Sequence, residues 1–205
     1  MAETEHIDPV LWEACKAGDK KAYGAVYQFY YPRLYNYGYK FAVDGTLIED
    51  CIQEVFTWCW SRRSCLVKIK DLRSYLFVAF RHCLLKSVRH GHEVIGLSSA
   101  ADLFSLELAA DELCVTAESH HEQQDYLKKA FHALTPRQKE AIFLKFYENM
   151  SYEEIAAVLD ISVKATYKLI GRAISELRQY SKMHPAYDIL LTMAGIGLAL
   201  RILLS

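Results

Sequence analysis

Residues 150–178 read MSYEEIAAVLDISVKATYKLIGRAISELR and decide the fold of the segment around them. Ser151 is followed by Glu154 at the spacing of a capping box, in which the two side chains satisfy main-chain N–H groups of the first helical turn. Met150 and Ile155 have the spacing of a hydrophobic staple at the same helix start. The pattern therefore predicts a short helix that begins at Ser151.

A second helix is predicted almost at once, because Ser162 can cap it. Apolar residues at steps of three and four predict one buried stripe, made of Val163, Tyr167, Ile170, Ile174 and Leu177. The neighbouring stripe is polar and positive, and contains Lys164, Lys168, Gly171, Ser175 and Arg178. A short helix, a tight turn and a longer helix with cations are typical of a helix-turn-helix, whose second helix enters the DNA major groove. An ordinary helical hairpin with a solvated basic face is the alternative.

Charge is segregated along the chain, although the formal net charge is only −1. Residues 1–61 carry a net charge of −4, residues 62–90 carry +7, residues 91–125 carry −8 and residues 126–182 carry +4. Two basic segments separated by an acidic one predict two surfaces that bind a polyanion and a connector that does not. An unevenly charged solvated surface is the alternative.

Six cysteines are scattered without a Cys-x-x-Cys pair, and the N-terminus has no charged-then-apolar leader. This usage favours a reducing cytoplasm and thiols that are buried as small hydrophobes. We expect no metal and no cofactor, because His82-Cys83 and His120-His121 have no second ligand pair at metal spacing. We also expect no enzyme, because the sequence has no glycine-rich phosphate loop and no nucleophile elbow.

The first half of the chain is predicted to be helical throughout. Asp8-Pro9 is a natural helix start, and Pro32 is expected to interrupt or open a helix. The many tyrosines of residues 8–43 favour a core with polar rims over a stacking platform for bases. Thr46 and Glu49 form another capping box, and the helix that follows has a core stripe and an exposed acidic face. The core stripe is Ile48, Ile52, Val55 and Cys59, and the acidic face contains Asp50, Gln53 and Glu54.

Residues 61–70 are basic and lead into a helix that runs from Asp71 to about Arg89. The predicted inward residues are Leu72, Leu76, Ala79, Cys83 and Leu84. One outer stripe is predicted to contain Lys70, Arg73, Phe77 and Arg81, and a second to contain His82, Lys86 and Arg89. Cations interleaved with aromatic rings are what single-stranded or locally opened nucleic acid requires.

The remaining elements complete an all-α prediction. Residues 91–125 lack lysine and arginine and are interpreted mainly as a linker. Thr135, Pro136 and Gln138 then predict the start of a helix that packs on the helix-turn-helix. The predicted fold is two small helical domains joined by an acidic linker, the second being a helix-turn-helix domain that is winged-helix-like without a wing.

Three motifs in combination resemble bacterial extracytoplasmic-function (ECF) sigma factors, which are subunits of RNA polymerase. The motifs are IEDCIQEVFTWCW (residues 48–60), IKDLRSYLFVAFRHCLLKSVRH (69–90) and LTPRQKEAIFLKFYENMSYEEIAAVLDISVKATYKLIGRAISELR (134–178). The resemblance implies a sigma region 2 over residues 1–90, an acidic linker over 91–122 and a sigma region 4 over 123–182. Residues 183–205 are left as a hydrophobic tail.

The resemblance also implies a division of labour in transcription initiation. Region 2 would bind core RNA polymerase through Asp50, Gln53 and Glu54. It would engage and melt the start-proximal element of promoter DNA through Arg62, Arg63, Lys70, Arg73 and Arg81. Region 4 would read the upstream element through Lys164, Thr166, Lys168 and Arg172. An anti-sigma factor is a further partner that the resemblance implies.

The tail of the chain departs from this resemblance. Residues 189–200 carry no charge, but Arg201 follows them, and the apolar run falls short of the roughly 20 residues that cross a bilayer as a helix. We favour a helix that covers an apolar surface of this protein or of a partner, with membrane attachment through residues 185–205 as the alternative. Two other functions stay open: a free-standing helix-turn-helix regulator and a membrane-associated interaction adaptor.

Overall fold

The computed structural model describes residues 9–42, 44–63, 71–92, 104–105 and 131–182. It divides the chain into two compact units, Met1–Ala100 and Ala101–Ser205. Within the described residues every regular element is helical, so the all-α prediction is confirmed. The tail, most of the acidic linker and Lys70 lie outside the described residues.

The first unit contains four described helices: α1 Pro9–Ala17, α2 Lys20–Tyr39, α3 Gly45–Ser61 and α4 Leu72–His92. Gly18 ends α1 with a φ of +95°, a conformation that glycine adopts without steric cost. Asp19 then caps α2, and its carboxylate accepts hydrogen bonds from the main-chain N–H groups of Lys21 and Ala22 at 2.7 and 3.2 Å. The turn and the cap together separate α1 from α2.

Two sequence expectations about helix starts are wrong. Pro32 neither interrupts nor opens a helix, since α2 continues through it. Tyr30 and Leu34 on either side are fully buried, so packing holds the helix together where the proline removes a hydrogen bond. The cap of α3 is Asp44 rather than Thr46: the Asp44 carboxylate accepts hydrogen bonds from the N–H groups of Thr46 and Leu47.

The core of the first unit lies between α2, α3 and α4. All four residues of the predicted α3 stripe, Ile48 to Cys59, are buried. At Gly38, α2 lies close to both α3 and α4, because a Cβ at this position would lie 2.8 Å from atoms of both Ile48 and Phe80. Any larger residue there would push α2 away from its neighbours.

Part of the face prediction for α4 is wrong. Leu72, Leu76 and Leu84 are buried as expected. Arg73 and Phe77 are also buried, at 3% and 0% exposure, although the sequence placed both on an outer stripe. The ring of Phe77 lies 5.3 Å from that of Tyr37. Because α4 packs against both α2 and α3, it buries an arc wider than one stripe.

The second unit contains α5 Pro136–Ile142, a π-helical turn Phe143–Tyr147, α6 Tyr152–Leu159 and α7 Val163–Lys182. Both predicted capping boxes of this unit are confirmed, Thr135 with Gln138 and Ser151 with Glu154. Asp160 ends α6 in the left-handed conformation, with φ +52° and ψ +54°. This residue makes the tight corner of the helix-turn-helix.

Two side-chain contacts join α5 to the rest of this unit. The guanidinium of Arg137 donates a hydrogen bond of 3.0 Å to the main-chain oxygen of Leu159, which is one of the carbonyls left open at the end of α6. The amide of Gln138 donates one of 3.1 Å to the carboxylate of Glu176 on α7. Helix α5 therefore supports both helices of the motif.

Phe104 connects the predicted linker to the second unit. Its side chain is 2% exposed, and its ring lies 6.0 Å from that of Phe143 in an edge-on arrangement. Residues 91–122 were interpreted mainly as linker, and this position contributes to a packed core.

Candidate nucleic-acid interface

The outer face of α7 presents cations at helical spacing. Lys164, Lys168 and Arg172 are all exposed. Ser162 caps the helix, since its hydroxyl accepts a hydrogen bond of 3.2 Å from the N–H of Ala165. In helix-turn-helix proteins, residues in the N-terminal turns of the second helix contact the base edges.

Thr166 does not belong to this face. It is fully buried, and its hydroxyl donates a hydrogen bond of 3.2 Å to the main-chain oxygen of Ser162. The family resemblance implied Thr166 as a DNA contact, but Thr166 is two positions from both Lys164 and Lys168, and residues two apart along a helix point to nearly opposite sides. We therefore do not include Thr166 among the candidate DNA contacts of α7.

Tyr167 is exposed where the sequence pattern predicted burial. Its side chain is 52% exposed, and its ring stacks on that of Tyr152 at 3.9 Å with an interplanar angle of 16°. The ammonium of Lys145 lies 4.7 Å from the centre of the Tyr152 ring. Apolar periodicity cannot distinguish a tyrosine at the edge of a core stripe from one within it, so the sequence missed this surface pair.

The first unit carries arginine–tryptophan pairs at the end of α3. The guanidinium of Arg62 lies 5.1 Å from the centre of the Trp58 ring, and that of Arg63 lies 4.9 Å from Trp60. Trp58 is 42% exposed and stacks on Tyr75 of α4 at 6.2 Å. Cations beside exposed aromatic rings suit a nucleic-acid strand, and the sequence had singled out only the arginines.

The other predicted cations of the first unit differ in their accessibility. His82, Lys86 and Arg89 are exposed along α4, and Arg81 is half-buried. Arg73 is buried, so its guanidinium belongs to the interior of the unit. A groove of about 510 Å³ lies between α3 and α4, and Trp58, Tyr75, His82 and Lys86 are among its lining residues.

The acidic face of α3, defined by Asp50, Gln53 and Glu54, is exposed as predicted. Gln53 also borders a cleft of about 400 Å³ lined by aromatic side chains of α2 and α3. The carboxylate of Glu54 accepts a hydrogen bond of 3.4 Å from the thiol of Cys83 on α4. The acidic face therefore lies next to the groove between α3 and α4.

The thiols of the first unit fall into two groups. Burial raises the pKa of Cys15 and that of Cys59 to about 11. Hydrogen bonding with Cys83 lowers the pKa of Cys51. Hydrogen bonding with Cys51 raises the pKa of Cys83, and burial and the carboxylate of Glu54 raise it further. The described residues contain no group of three side chains that could hold a metal ion.

Comparison with known proteins identifies the helix-turn-helix segment. The model of the family described as sigma-70, region 4 matches residues 124–177. The RNA polymerase sigma factor CnrH of Cupriavidus metallidurans is 27% identical over 180 residues, which cover 84% of this chain and 93% of that protein. These matches include both the segment with the basic α7 face and the first unit.

Two solved structures share the fold. One is a structure of CnrH in complex with the cytosolic domain of CnrY, with a TM-score of 0.55, 20% identity and coverage of 85% of this chain and 97% of that one. The other is the sigma factor RpoE in complex with the anti-sigma factor NepR from Bartonella quintana, with a TM-score of 0.57, 21% identity and coverage of 80% and 99%.

The chain is similar to RNA polymerase sigma factors, both in residues 124–177 and over most of its length. The match to sigma-70 region 4 and the similarity to CnrH support a function as an RNA polymerase sigma factor in transcription initiation. Within the described residues no helix is both long and apolar enough to span a membrane.

Proposed function

We propose that the two units divide promoter recognition between them, the first as sigma region 2 over residues 1–90 and the second as region 4 over residues 123–182. The observation that carries this proposal is the row of exposed cations on α7, Lys164, Lys168 and Arg172, within the segment that the region 4 model matches. In this proposal α7 lies in the major groove of the upstream element. The acidic residues 91–122 connect the two units.

The upstream contact is tested by the salt dependence of binding. Each cation that neutralises a phosphate releases a counterion, so replacing Lys164 or Lys168 by alanine should reduce the slope of log K against log salt by about 1. Holoenzyme is titrated on upstream-element DNA at several salt concentrations. Lys21→Ala, at an exposed lysine of α2 in the first unit, is the control. Unchanged slopes for both α7 variants would contradict the proposed interface.

The start-proximal element is the proposed ligand of the basic end of α3. Arg62 and Arg63 are exposed, and each lies over a tryptophan ring. The guanidinium groups offer charge to phosphates, and the aromatic rings offer flat surfaces to unstacked bases. Arg81 and Lys70 are proposed to extend this surface. Potassium permanganate footprinting of open complexes should show less strand opening with Arg62→Ala/Arg63→Ala, while binding of the closed complex is retained.

Core RNA polymerase is the proposed partner of the acidic face. Asp50, Gln53 and Glu54 are exposed on one side of α3, and a basic partner surface would complement their charge. Asp50→Lys/Glu54→Lys should reduce the affinity for core enzyme at least about tenfold. Glu13→Lys, on α1 with a 71% exposed side chain, is the control for an unspecific charge effect.

The same experiment separates the second candidate, a free-standing helix-turn-helix regulator. A regulator that acts without this contact would bind its DNA equally well with and without core enzyme. Unchanged core binding by Asp50→Lys/Glu54→Lys would therefore favour the regulator. A protein-binding adaptor would show no steep loss of DNA affinity with salt.

The remaining parts of the proposal concern regulation and location. An anti-sigma factor is a proposed partner, supported by the similarity to two sigma factors solved in complexes, CnrH with CnrY and RpoE with NepR. We propose that the protein acts in the cytoplasm, where polymerase and promoter DNA are found, and that it has no enzymatic activity of its own. Co-purification with a second protein that is released on induction would support the regulatory partner.

A further inference from the structure

Tyr167 is a large aromatic side chain on the DNA-facing helix that is not part of the core. It is 52% exposed, whereas Ile170 and Leu177 of the same predicted stripe are buried. Single exposed apolar residues are common on protein surfaces and carry no meaning alone. The surroundings of Tyr167 are what distinguish it.

The ring of Tyr167 is held in one orientation. It stacks on Tyr152 at 3.9 Å, nearly parallel, and Tyr152 is the first residue of α6, directly after the N-cap Ser151. Lys145 places its ammonium 4.7 Å from the centre of the Tyr152 ring and donates a hydrogen bond of 3.0 Å to the main-chain oxygen of Met150. Tyr152 therefore covers one face of the Tyr167 ring and is itself held by Lys145. Because the Tyr167 side chain is ordered before DNA binds, binding costs little side-chain entropy.

The neighbours of Tyr167 on α7 suit the approach of a nucleic acid. Lys164 and Lys168, three residues before it and one after, are exposed cations. Gly171 lies four residues after Tyr167, on the same side of the helix, and a Cβ placed there would meet no atom within 4 Å. Beside the ring there is therefore open space that a base edge can enter.

We infer that Tyr167 determines specificity by packing its ring against the C5-methyl group of a thymine in the upstream element. The inference rests on the proposed function of α7. In the major groove the thymine methyl is the one apolar group on a base edge, and apolar side chains recognise it. The lysines beside Tyr167 supply charge for phosphates, but an aromatic ring supplies the apolar surface that the methyl group needs.

Tyr152 is a positioning residue in this arrangement. It covers the inner face of the Tyr167 ring. Without it, Tyr167 would be free to take other rotamers, and the contact with the methyl group would weaken. Tyr152→Ala should therefore reduce the preference for thymine without abolishing DNA binding.

The test replaces thymines by deoxyuridine, one position at a time, in an upstream element selected from random DNA by the holoenzyme. Deoxyuridine lacks only the C5-methyl group and pairs normally. We expect one position at which the substitution weakens binding of wild-type holoenzyme about three- to fivefold, the effect of losing one methyl-sized apolar contact. With Tyr167→Ala the same position should show no such loss.

Two further variants make the result specific. Tyr167→Phe keeps the ring and should keep the full deoxyuridine effect, and Tyr39→Ala, at another exposed tyrosine, should not alter it. The inference is overturned if no deoxyuridine position weakens wild-type binding. It is equally overturned if Tyr167→Phe loses as much affinity as Tyr167→Ala, since the hydroxyl would then contact a phosphate, or if Tyr167→Ala impairs only the binding of core polymerase.

The outcome is separable from a failure of the proposed function. If α7 does not bind DNA, the wild-type holoenzyme selects no upstream element and shows no salt slope that depends on Lys164 or Lys168. If α7 binds DNA and Tyr167 has no role, selection succeeds, and the methyl group has no effect at any position.

Discussion

Tyr23 of α2 donates a hydrogen bond from its hydroxyl to the main-chain oxygen of Phe56 on α3, 33 residues further along the chain. The ring of Tyr23 also lies 5.9 Å from the ring of Phe56 and 4.8 Å from that of Trp60. This contact joins α2 to the helix that carries the acidic face and the two arginine–tryptophan pairs. The position of that surface therefore depends on a side chain of another helix.

Removal of the Tyr23 hydroxyl tests this connection. Tyr23→Phe should lower the free energy of unfolding by about 1 kcal/mol, because the aromatic packing remains and one partly buried hydrogen bond is lost. Urea unfolding of the full chain measures the difference. Tyr39→Phe, whose side chain is 50% exposed, should change the stability by less than about 0.5 kcal/mol. Equal effects of the two variants would contradict the structural role of the Tyr23 hydroxyl.

Arg73 and Arg62 should respond in opposite ways to the same substitution. Arg73 is 3% exposed, so Arg73→Ala removes a buried charged group from its partners and should cost about 2–4 kcal/mol of stability. Arg62→Ala should leave stability nearly unchanged and reduce promoter opening. Urea unfolding and permanganate footprinting of each variant give the two readouts. If Arg73→Ala were stable and defective only in promoter opening, Arg73 would have to contact DNA as the sequence predicted.

The buried thiols predict a loss of stability at alkaline pH. Folding raises the pKa of Cys15 and Cys59 from 9 to about 11, so the unfolded chain releases these protons first as the pH rises. Their contribution to stability is therefore fully present below about pH 9 and is lost as the pH increases towards 11. Tyr75, whose pKa burial raises to about 12, acts in the same direction at higher pH.

The measurement is the slope of unfolding free energy against pH between about 8.5 and 10.5, compared for wild type and Cys15→Ala/Cys59→Ala. The double variant should show a shallower decline, even if its stability at neutral pH is lower. Cys114→Ala, at a cysteine outside the described residues, is the control. An unchanged slope in the double variant would exclude these thiols as the titrating groups.

At Asp160 the glycine variant should be more stable than the alanine variant, which is the reverse of the usual order in a helix. At its φ of +52° the Cβ atom itself lies unfavourably close to a main-chain carbonyl oxygen, so Asp160→Gly should be more stable than Asp160→Ala by about 1 kcal/mol. At Arg178, an exposed position within α7, the order should be the opposite by a similar amount, because glycine weakens a helix interior. Thermal and urea unfolding of the four variants would reveal any departure from this crossed pattern.

Phe104 should contribute to the stability of the second unit although it lies in an acidic segment. Phe104→Ala removes a ring that is 2% exposed and packs on Phe143, which should cost about 3 kcal/mol or more. Ser105→Ala, at the exposed neighbouring residue, should have little effect. Circular dichroism during urea unfolding measures both. A neutral Phe104→Ala would mean that this segment contributes no core contact.

Local features were the ones that could be predicted from the amino-acid sequence. The capping boxes at Ser151 and Thr135 involve residues three apart, and the cap at Ser162 likewise needs only neighbours along the chain. The exposed cations at Lys164 and Lys168 also follow from helical periodicity. The ECF sigma motifs supplied the class of protein, which the comparisons support.

Burial at the margins of a helix face was decided only by tertiary structure. Arg73 and Phe77 are buried because α4 packs against two helices, and Tyr167 is exposed because Tyr152 offers it a stacking partner outside the core. Periodicity identifies which residues share a face, but not how wide an arc the neighbouring helices cover. The sequence by itself therefore determined most of the helices, several of their caps and the charge of the exposed face of α7. The packing of neighbouring helices decided which side chains on these faces are exposed and which are buried.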